Sequence, residues 1–381
     1  MLMSTRWLAA LAALPLVAAQ PPQFVEHTIA TELRGGYQVV VADLNHDGKP
    51  DLIALASGLP ELVWFENPGW ERHVIVSGQS RMINCVAVPG AKDGIPDIVL
   101  ASEFSNQAKD SVGIVSLIRH HGDPRQPWTI TEIDRIPTSH RLRIANIDGS
   151  GRPVVINAPL TGPKAVPPDF RDQEPLVYYR PGEWKRRLIS EENSGVVHGI
   201  FAVDWDGDGR DEILTASFGG IHLFKLGKDG RWTRREIAKG DPAPWPKSGS
   251  SDIAVGSLAK SRFLAAIEPW HGNQVAVYRQ SGDAWERHVI DDTLVDGHTI
   301  LAADFNGDGL DEIVAGFRGK GRSVYLYSAE DATGARWTKQ VVDDGGMAAA
   351  ACAAADLNQD SRRDLVCIGS ATANLKWYEN R

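Results

Sequence analysis

An aromatic residue followed five positions later by an aliphatic one recurs seven times, as Phe24/Ile29, Trp70/Ile75, Trp128/Ile133, Trp184/Ile189, Trp232/Ile237, Trp285/Ile290 and Trp337/Val342. From Trp70 onward the copies stand about 53 residues apart, the length of a four-stranded unit with generous loops. A period of that length restricts the chain to folds in which one small unit packs against copies of itself. Between the aromatic positions, apolar runs such as Glu312–Phe317 and Ser323–Tyr327 alternate with turn residues and show no helical period. They read as strands. The fold implied is all-β, a seven-bladed β-propeller of four-stranded antiparallel blades.

The two ends of the chain complement each other. Leu375-Lys376-Trp377-Tyr378-Glu379-Asn380 repeats Leu62-Val63-Trp64-Phe65-Glu66-Asn67, but no Trp strand follows it. The unmatched Trp-type strand is Phe24-Val25-Glu26-His27-Thr28-Ile29, which resembles Trp285-Glu286-Arg287-His288-Val289-Ile290. The N-terminal strand is therefore expected to complete the last blade, close the ring and hide the sheet edges that an open array would expose. Ahead of it, Arg6, an apolar run from Trp7 to Ala19 and small residues before Gln20 read as a signal peptide over residues 1–19, with residues 20–381 forming one propeller. A secreted or periplasmic protein without a membrane span is implied. Cys85, Cys352 and Cys367 are too few for a disulfide framework. Cys352 and Cys367 can face each other across one hairpin, although buried free thiols are the expected state.

Four turns share one acidic pattern. Positions 1, 3, 5, 7 and 9 are Asp43, Asn45, Asp47, Lys49 and Asp51 in blade one, and Asp204, Asp206, Asp208, Arg210 and Glu212 in blade four. In blade six they are Asp304, Asn306, Asp308, Leu310 and Glu312, and in blade seven Asp356, Asn358, Asp360, Arg362 and Asp364. Calcium takes six to eight hard oxygens, and the side chains at 1, 3, 5 and 9 with the carbonyl at 7 can converge on one ion. Up to four structural Ca²⁺ ions are expected. An EF-hand is excluded, because the twelfth positions are Ala54, Thr215, Ala315 and Cys367 in place of glutamate. Blade seven has Ser361 where the others place the glycine of the tight turn. Blade three keeps Asn146, Asp148 and Ser150 but has Val154 at position 9; blade two keeps only Asp93 and Asp97; blade five has no such loop. Thirteen carboxylates lie in the four full loops, which accounts for the net charge of −9. That balance excludes a nucleic-acid-binding surface of the usual basic kind.

With these loops the sequence resembles the FG-GAP or VCBS repeat propellers over essentially its whole mature length. On Glu268-Pro269-Trp270-His271-Gly272 and Gly316-Phe317-Arg318-Gly319 it is similar to the propeller domain of aldos-2-ulose dehydratase, an enzyme that eliminates water from keto-sugars. The given sequence ends after the propeller, so an isomerase step belonging to cupin domains is not expected to carry over.

Six residues before each calcium position 1, at the entry to the innermost strand, stand Tyr37, His140, His198, His298 and Ala350. This entry and the turn between strands two and three open onto the face opposite the calcium loops. That second turn adds Glu103, Glu268, His271 and Arg318. A pocket of His140, His198, Glu268, His271, His298 and Arg318 is therefore expected, able to hold a divalent metal or to work by proton transfer alone. The resemblance implies elimination on a keto-sugar or related oxidised carbohydrate, as in a dehydratase or lyase. The alternative is a non-catalytic module that binds a glycan or a protein partner through the same face. Tyr37, Trp245 and Trp270 suit sugar stacking under either reading. No nucleophile elbow, Walker loop or HExxH motif is present.

Overall fold

The computed structural model describes residues 20–89, 94–259 and 261–381. The expected leader and Asp93 lie outside these residues. Twenty-eight strands form seven four-stranded antiparallel sheets, and the one helical element among the described residues is a short 3-10 turn at Ala108–Asp110. The inner strands are Gly36–Ala42, Asn84–Val88, Ser139–Ala145, Val197–Val203, Asp252–Leu258, Gly297–Ala303 and Ala349–Ala355. Each packs beside the next, and the seventh returns to the first around a central channel. No helix among the described residues is long and apolar enough to cross a membrane.

Both faces of every sheet are covered by neighbouring blades, and this sets the sequence of each strand. Second strands such as Asp51–Ala56, Glu212–Ser217, Glu312–Phe317 and Asp364–Gly369 are buried along their whole length, which explains their unbroken apolar runs. The recurrent tryptophan of the outer strand reaches back to the preceding blade. Trp232 meets Tyr178, Trp285 meets Trp205 and Trp337 meets Phe263, with ring centroids 6.1, 5.5 and 5.3 Å apart. Blades one and seven approach so closely that a Cβ on Gly36 would stand 2.6 Å from the Gly369 carbonyl oxygen.

The ring closes as the sequence predicts. Phe24–Ala30 is the outer strand of blade seven, antiparallel to Leu375–Asn380, with Phe24 opposite Asn380 and Thr28 opposite Lys376. Lys376 Nζ lies 2.9 Å from both Glu26 and Asp343, so it ties the N-terminal strand to blades six and seven. Tyr378 donates to the same Asp343 at 2.7 Å. This tether recurs: Tyr179 donates to Asp134 and Tyr327 to Asp291, each from the third strand of one blade to the end of the blade before it.

The expectation of free thiols at Cys352 and Cys367 is corrected. The two residues are directly opposed in the inner hairpin of blade seven and form a disulfide, with Cα atoms 4.1 Å apart. Directly opposed strand positions bring the two side chains within reach of each other. Cys85 is free and buried.

Glu174, on the third strand of blade three, is fully buried; its Oε2 accepts from Asn193 at 3.1 Å and its Oε1 has no partner. Burial pushes its carboxyl up to about 8. A carboxyl that titrates higher in the folded than in the unfolded chain stabilises the fold fully at pH below its unfolded value. That contribution is lost as the pH rises through about 8. Glu174→Gln should therefore melt with a shallower loss of stability between pH 5 and pH 8.5 and outlast the parent at the alkaline end. Parallel melting profiles for the two proteins would contradict this assignment.

Candidate active site

A cavity of about 510 Å³ opens at one end of the channel, lined by Tyr37, Arg81, Phe104, His140, His198, Trp270, His271 and Arg318 among others. His298 lies buried behind these residues, with its ring centroid 5.0 Å from that of His198 and 5.1 Å from that of His271. His140, His198 and His298 are each the second residue of an inner strand, and each is buried. The strand register slips at these residues, as it does at Tyr37 and Ala350 in blades one and seven. A bulge of one residue breaks the in-and-out alternation of a strand and re-aims a side chain. Repeated in five blades, it turns one slot per blade toward the channel mouth. His271 comes from the turn after the second strand of blade five and sits at φ +49°, a left-handed conformation that costs a non-glycine residue about 1 kcal/mol or more.

The hydrogen bonds of the three central histidines fix their tautomers. His298 Nδ1 donates to the Ala350 carbonyl at 2.6 Å, leaving Nε2 buried and without a partner. Arg141 Nη2, which can only donate, lies 3.4 Å from His198 Nε2. His198 Nδ1 then carries the proton and donates to Ser251 Oγ at 3.2 Å. His271 Nδ1 lies 3.2 Å from Asp296 Oδ1, an acceptor when ionised, and Asp296 also binds Arg318. Arg318 Nη2, which can only donate, lies 3.2 Å from that same nitrogen, so His271 Nδ1 accepts and its Nε2 carries the proton, donated to His198 Nε2 at 3.2 Å. The Nδ1 atoms of His198 and His298 thus face protein acceptors, and that of His271 faces a donor. The three Nε2 atoms converge, those of His198 and His271 sharing a proton at 3.2 Å and that of His298 without a partner. The three imidazoles offer ligand atoms that all lie within 4.8 Å of one another.

Burial holds His140, His198 and His298 well below the usual imidazole range, helped by the nearby Arg141 or Arg318 guanidinium. His271 is lowered by the same causes, with Asp296 opposing. Four neutral imidazoles therefore share the cavity at pH 7. His140 Nε2 is paired with the Tyr37 hydroxyl at 2.8 Å, and Phe104 and Trp270 flank the cluster, Trp270 with its ring 4.8 Å from that of His271. This set can bind a metal ion, exchange protons with a substrate, and offer aromatic faces to a sugar ring.

Glu268 does not join it. Its side chain is fully buried within blade five, accepting from Ser250 and Tyr278 at 2.5 Å each and from Arg287 at 2.7 Å. Tyr278 occupies the third-strand position that elsewhere reaches an aspartate of the preceding blade, and here Glu268 serves as the acceptor. The expectation that Glu268 faces the pocket is corrected for that reason. Two residues absent from that expected set take part: Arg141, whose Nε donates to the His198 carbonyl at 2.9 Å, and Asp296. Arg141 follows His140 directly, and strict alternation would have sent it away from the channel, so only the bulge reveals it. Asp296 lies two residues before His298 in a loop without a repeat position.

On the opposite face the four acidic loops share one geometry. Asp43, Asp204, Asp304 and Asp356 each accept backbone N–H groups from their own loop. The position-9 carboxylates accept the N–H of position 2, at Leu44, Trp205, Phe305 and Leu357. Gly48, Gly209 and Gly309 occupy positive φ at the turn, and Ser361 takes the same conformation at +70°.

Fold and site together define a seven-bladed propeller of FG-GAP repeats with a histidine-lined mouth, and comparison with known proteins agrees. The FG-GAP repeat model matches residues 35–64 and the FG-GAP-like repeat model residues 304–367. The model of the aldos-2-ulose dehydratase β-propeller domain matches residues 112–281, which include His140, His198 and His271. Aldos-2-ulose dehydratase of Phanerodontia chrysosporium is 27% identical over 293 residues, covering 66% of this chain and 32% of that enzyme. The chain thus spans about a third of that relative's length. Among solved structures, BBS1N in complex with ARL6DN aligns over 94% of this chain and 96% of its own, with a TM-score of 0.57 at 11% identity, a likeness of fold alone.

The placement of Glu268 is open to test. Glu268→Ala leaves Arg287, Tyr278 and Ser250 without their acceptor and should destabilise the protein by about 3–5 kcal/mol, read from denaturant unfolding. An unaltered unfolding midpoint would show that this carboxylate is not a structural tether.

Proposed function

We propose that the chain is an exported carbohydrate-active propeller whose mouth cavity catalyses elimination of water from a keto-sugar or related oxidised carbohydrate, with a divalent metal held by His198, His271 and His298. The carrying observation is the convergence of three imidazoles whose ligand atoms all lie within 4.8 Å of one another, with the Nδ1 atoms of His298 and His198 pinned from behind by Ala350 and Ser251. A metal would take the place of the proton that His271 Nε2 shares with His198 Nε2, and outward Nδ1 hydrogen bonds like those of His198 and His298 are how proteins orient metal-binding histidines. The similarity to aldos-2-ulose dehydratase supports the substrate class. The disulfide supports export, because such bonds persist in oxidising compartments.

Elimination beside a carbonyl removes the α-proton, forms the carbon–carbon double bond and breaks the β carbon–oxygen bond, the hydroxyl leaving as water once protonated. Held by the three imidazoles, a divalent ion would supply Lewis acidity to a substrate carbonyl. The paired His140 and Tyr37 are placed to accept and return protons, and the low proton affinity of His140 keeps it in the basic form at neutral pH. Arg318 adds positive charge at the rim, oriented by Asp296. Trp270 and Phe104 provide apolar faces for the sugar ring, and they also favour the second reading, a glycan-binding module without turnover. Calcium in the acidic loops of the far face would serve stability, by relieving repulsion among clustered carboxylates.

The test is turnover of a panel of keto-sugars by metal-loaded protein, followed by the ultraviolet absorbance of the unsaturated ketone product. The parent should form product, and His198→Ala and His298→Ala should each lose at least about 100-fold in kcat/KM with folding intact. Sugar binding without product in the parent would favour the binding module. Neither binding nor product across the panel would overturn the carbohydrate reading.

A further inference from the structure

Each acidic loop lies beside one residue of its blade's third strand, and that residue differs from blade to blade. The pairing of Ile213 with Phe224 sets Lys225 beside Glu212 in blade four. The corresponding pairs set Glu66 beside Asp51, Ser328 beside Glu312, and Glu379 beside Asp364. Lys225 Nζ lies 2.5 Å from Asp206 Oδ2, 2.7 Å from Glu212 Oε1 and 3.1 Å from Asp208 Oδ2. Those are the carboxylates of loop positions 3, 9 and 5. An ammonium has three N–H donors, and here all three have a carboxylate acceptor.

From this geometry we infer that Lys225 is the built-in counter-ion of the blade-four loop and occupies the place of a calcium ion there, so that calcium enters blades one, six and seven only. The inference rests on the calcium reading of the other loops. Two charges cannot share one cage of three carboxylates at these distances, and the lysine is tethered while calcium must be captured from solution.

Blades two and three follow the same rule. Where the loop is incomplete, the third-strand residue is again a cation that reaches an acid: Arg119 to Asp97 at 2.9 Å in blade two, and Arg180 to Asp148 at 2.7 Å in blade three. In blade six Ser328 cannot play that part, and among the described residues the hydrogen-bond partners of Asp304, Asp308 and Glu312 are backbone and Asn306 amides. In blades one and seven the shorter Asp51 and Asp364 spend both oxygens on backbone N–H groups. Glu66 and Glu379 then stand where a further carboxylate oxygen is needed. Glu66 is also held by Arg125 and His73, and Glu379 by His27 and Arg381, so blade six is the least encumbered of the three.

Calcium titration calorimetry on the parent, Lys225→Met and Ser328→Lys tests this. The parent should bind three calcium ions, Lys225→Met four, and Ser328→Lys two. In chelator, Lys225→Met should melt below the parent and recover when calcium is added, whereas the parent's own calcium response should be unaffected by the state of loop four. Four ions in the parent, or no additional ion in Lys225→Met, would overturn the inference. If Lys225→Met does not fold, an unchanged count in Ser328→Lys overturns it equally. A parent that binds none while Lys225→Met binds one would leave the counter-ion role standing and defeat the calcium reading of the other blades.

Discussion

The structure depends on the requirement that every sheet be covered on both faces and that no edge of the ring be left open. Seven sheets satisfy it only by stacking around an axis, and the last sheet is completed by Phe24–Ala30 from the other end of the chain. The Lys376 and Tyr378 contacts to Asp343, with Glu26, fasten this junction at a point of full or partial burial, where an unpaired charge would be costly. Burial on both faces fills the second strands with aliphatic residues and gives the outer-strand tryptophans a partner ring in the preceding blade. A closed ring of this kind also leaves seven equivalent entries around one opening, and function can be assembled there without disturbing the core.

Conversion of those entries into a site is the work of a backbone irregularity. The one-residue register slip at Tyr37, His140, His198, His298 and Ala350 turns side chains that regular pleating would divide between two faces toward a common mouth. Burial and the guanidinium groups of Arg141 and Arg318 then keep the imidazoles neutral, the state required of a metal ligand or a general base. The two ends of the propeller consequently differ in chemistry. One gathers neutral nitrogen donors in a half-enclosed cavity, and the other gathers carboxylates in solvent-facing loops.

The blade number, the ring closure and the acidic loops were legible in the sequence because each rests on a short-range pattern repeated at a fixed period. His140, His198 and His298 were legible for the same reason, since they share one offset from the loops. Glu268 was misplaced because its residue type fits a catalytic role as well as it fits a buried acceptor, and only the position of Tyr278 and Arg287 decides between them. Arg141 and Asp296 went unseen because their roles arise from a bulge and from contact between different blades. The Cys352–Cys367 bond required the hairpin register, which places the two residues directly opposite each other.

The central claim is that His198, His271 and His298 form a metal-binding mouth. Diffraction from crystals grown with zinc or manganese, collected on both sides of the metal's absorption edge, tests it most directly. The account predicts an anomalous peak between the three Nε2 atoms that disappears in His298→Ala. No peak there in the metal-loaded parent, with the three imidazoles hydrogen-bonded to one another or to water, would contradict it.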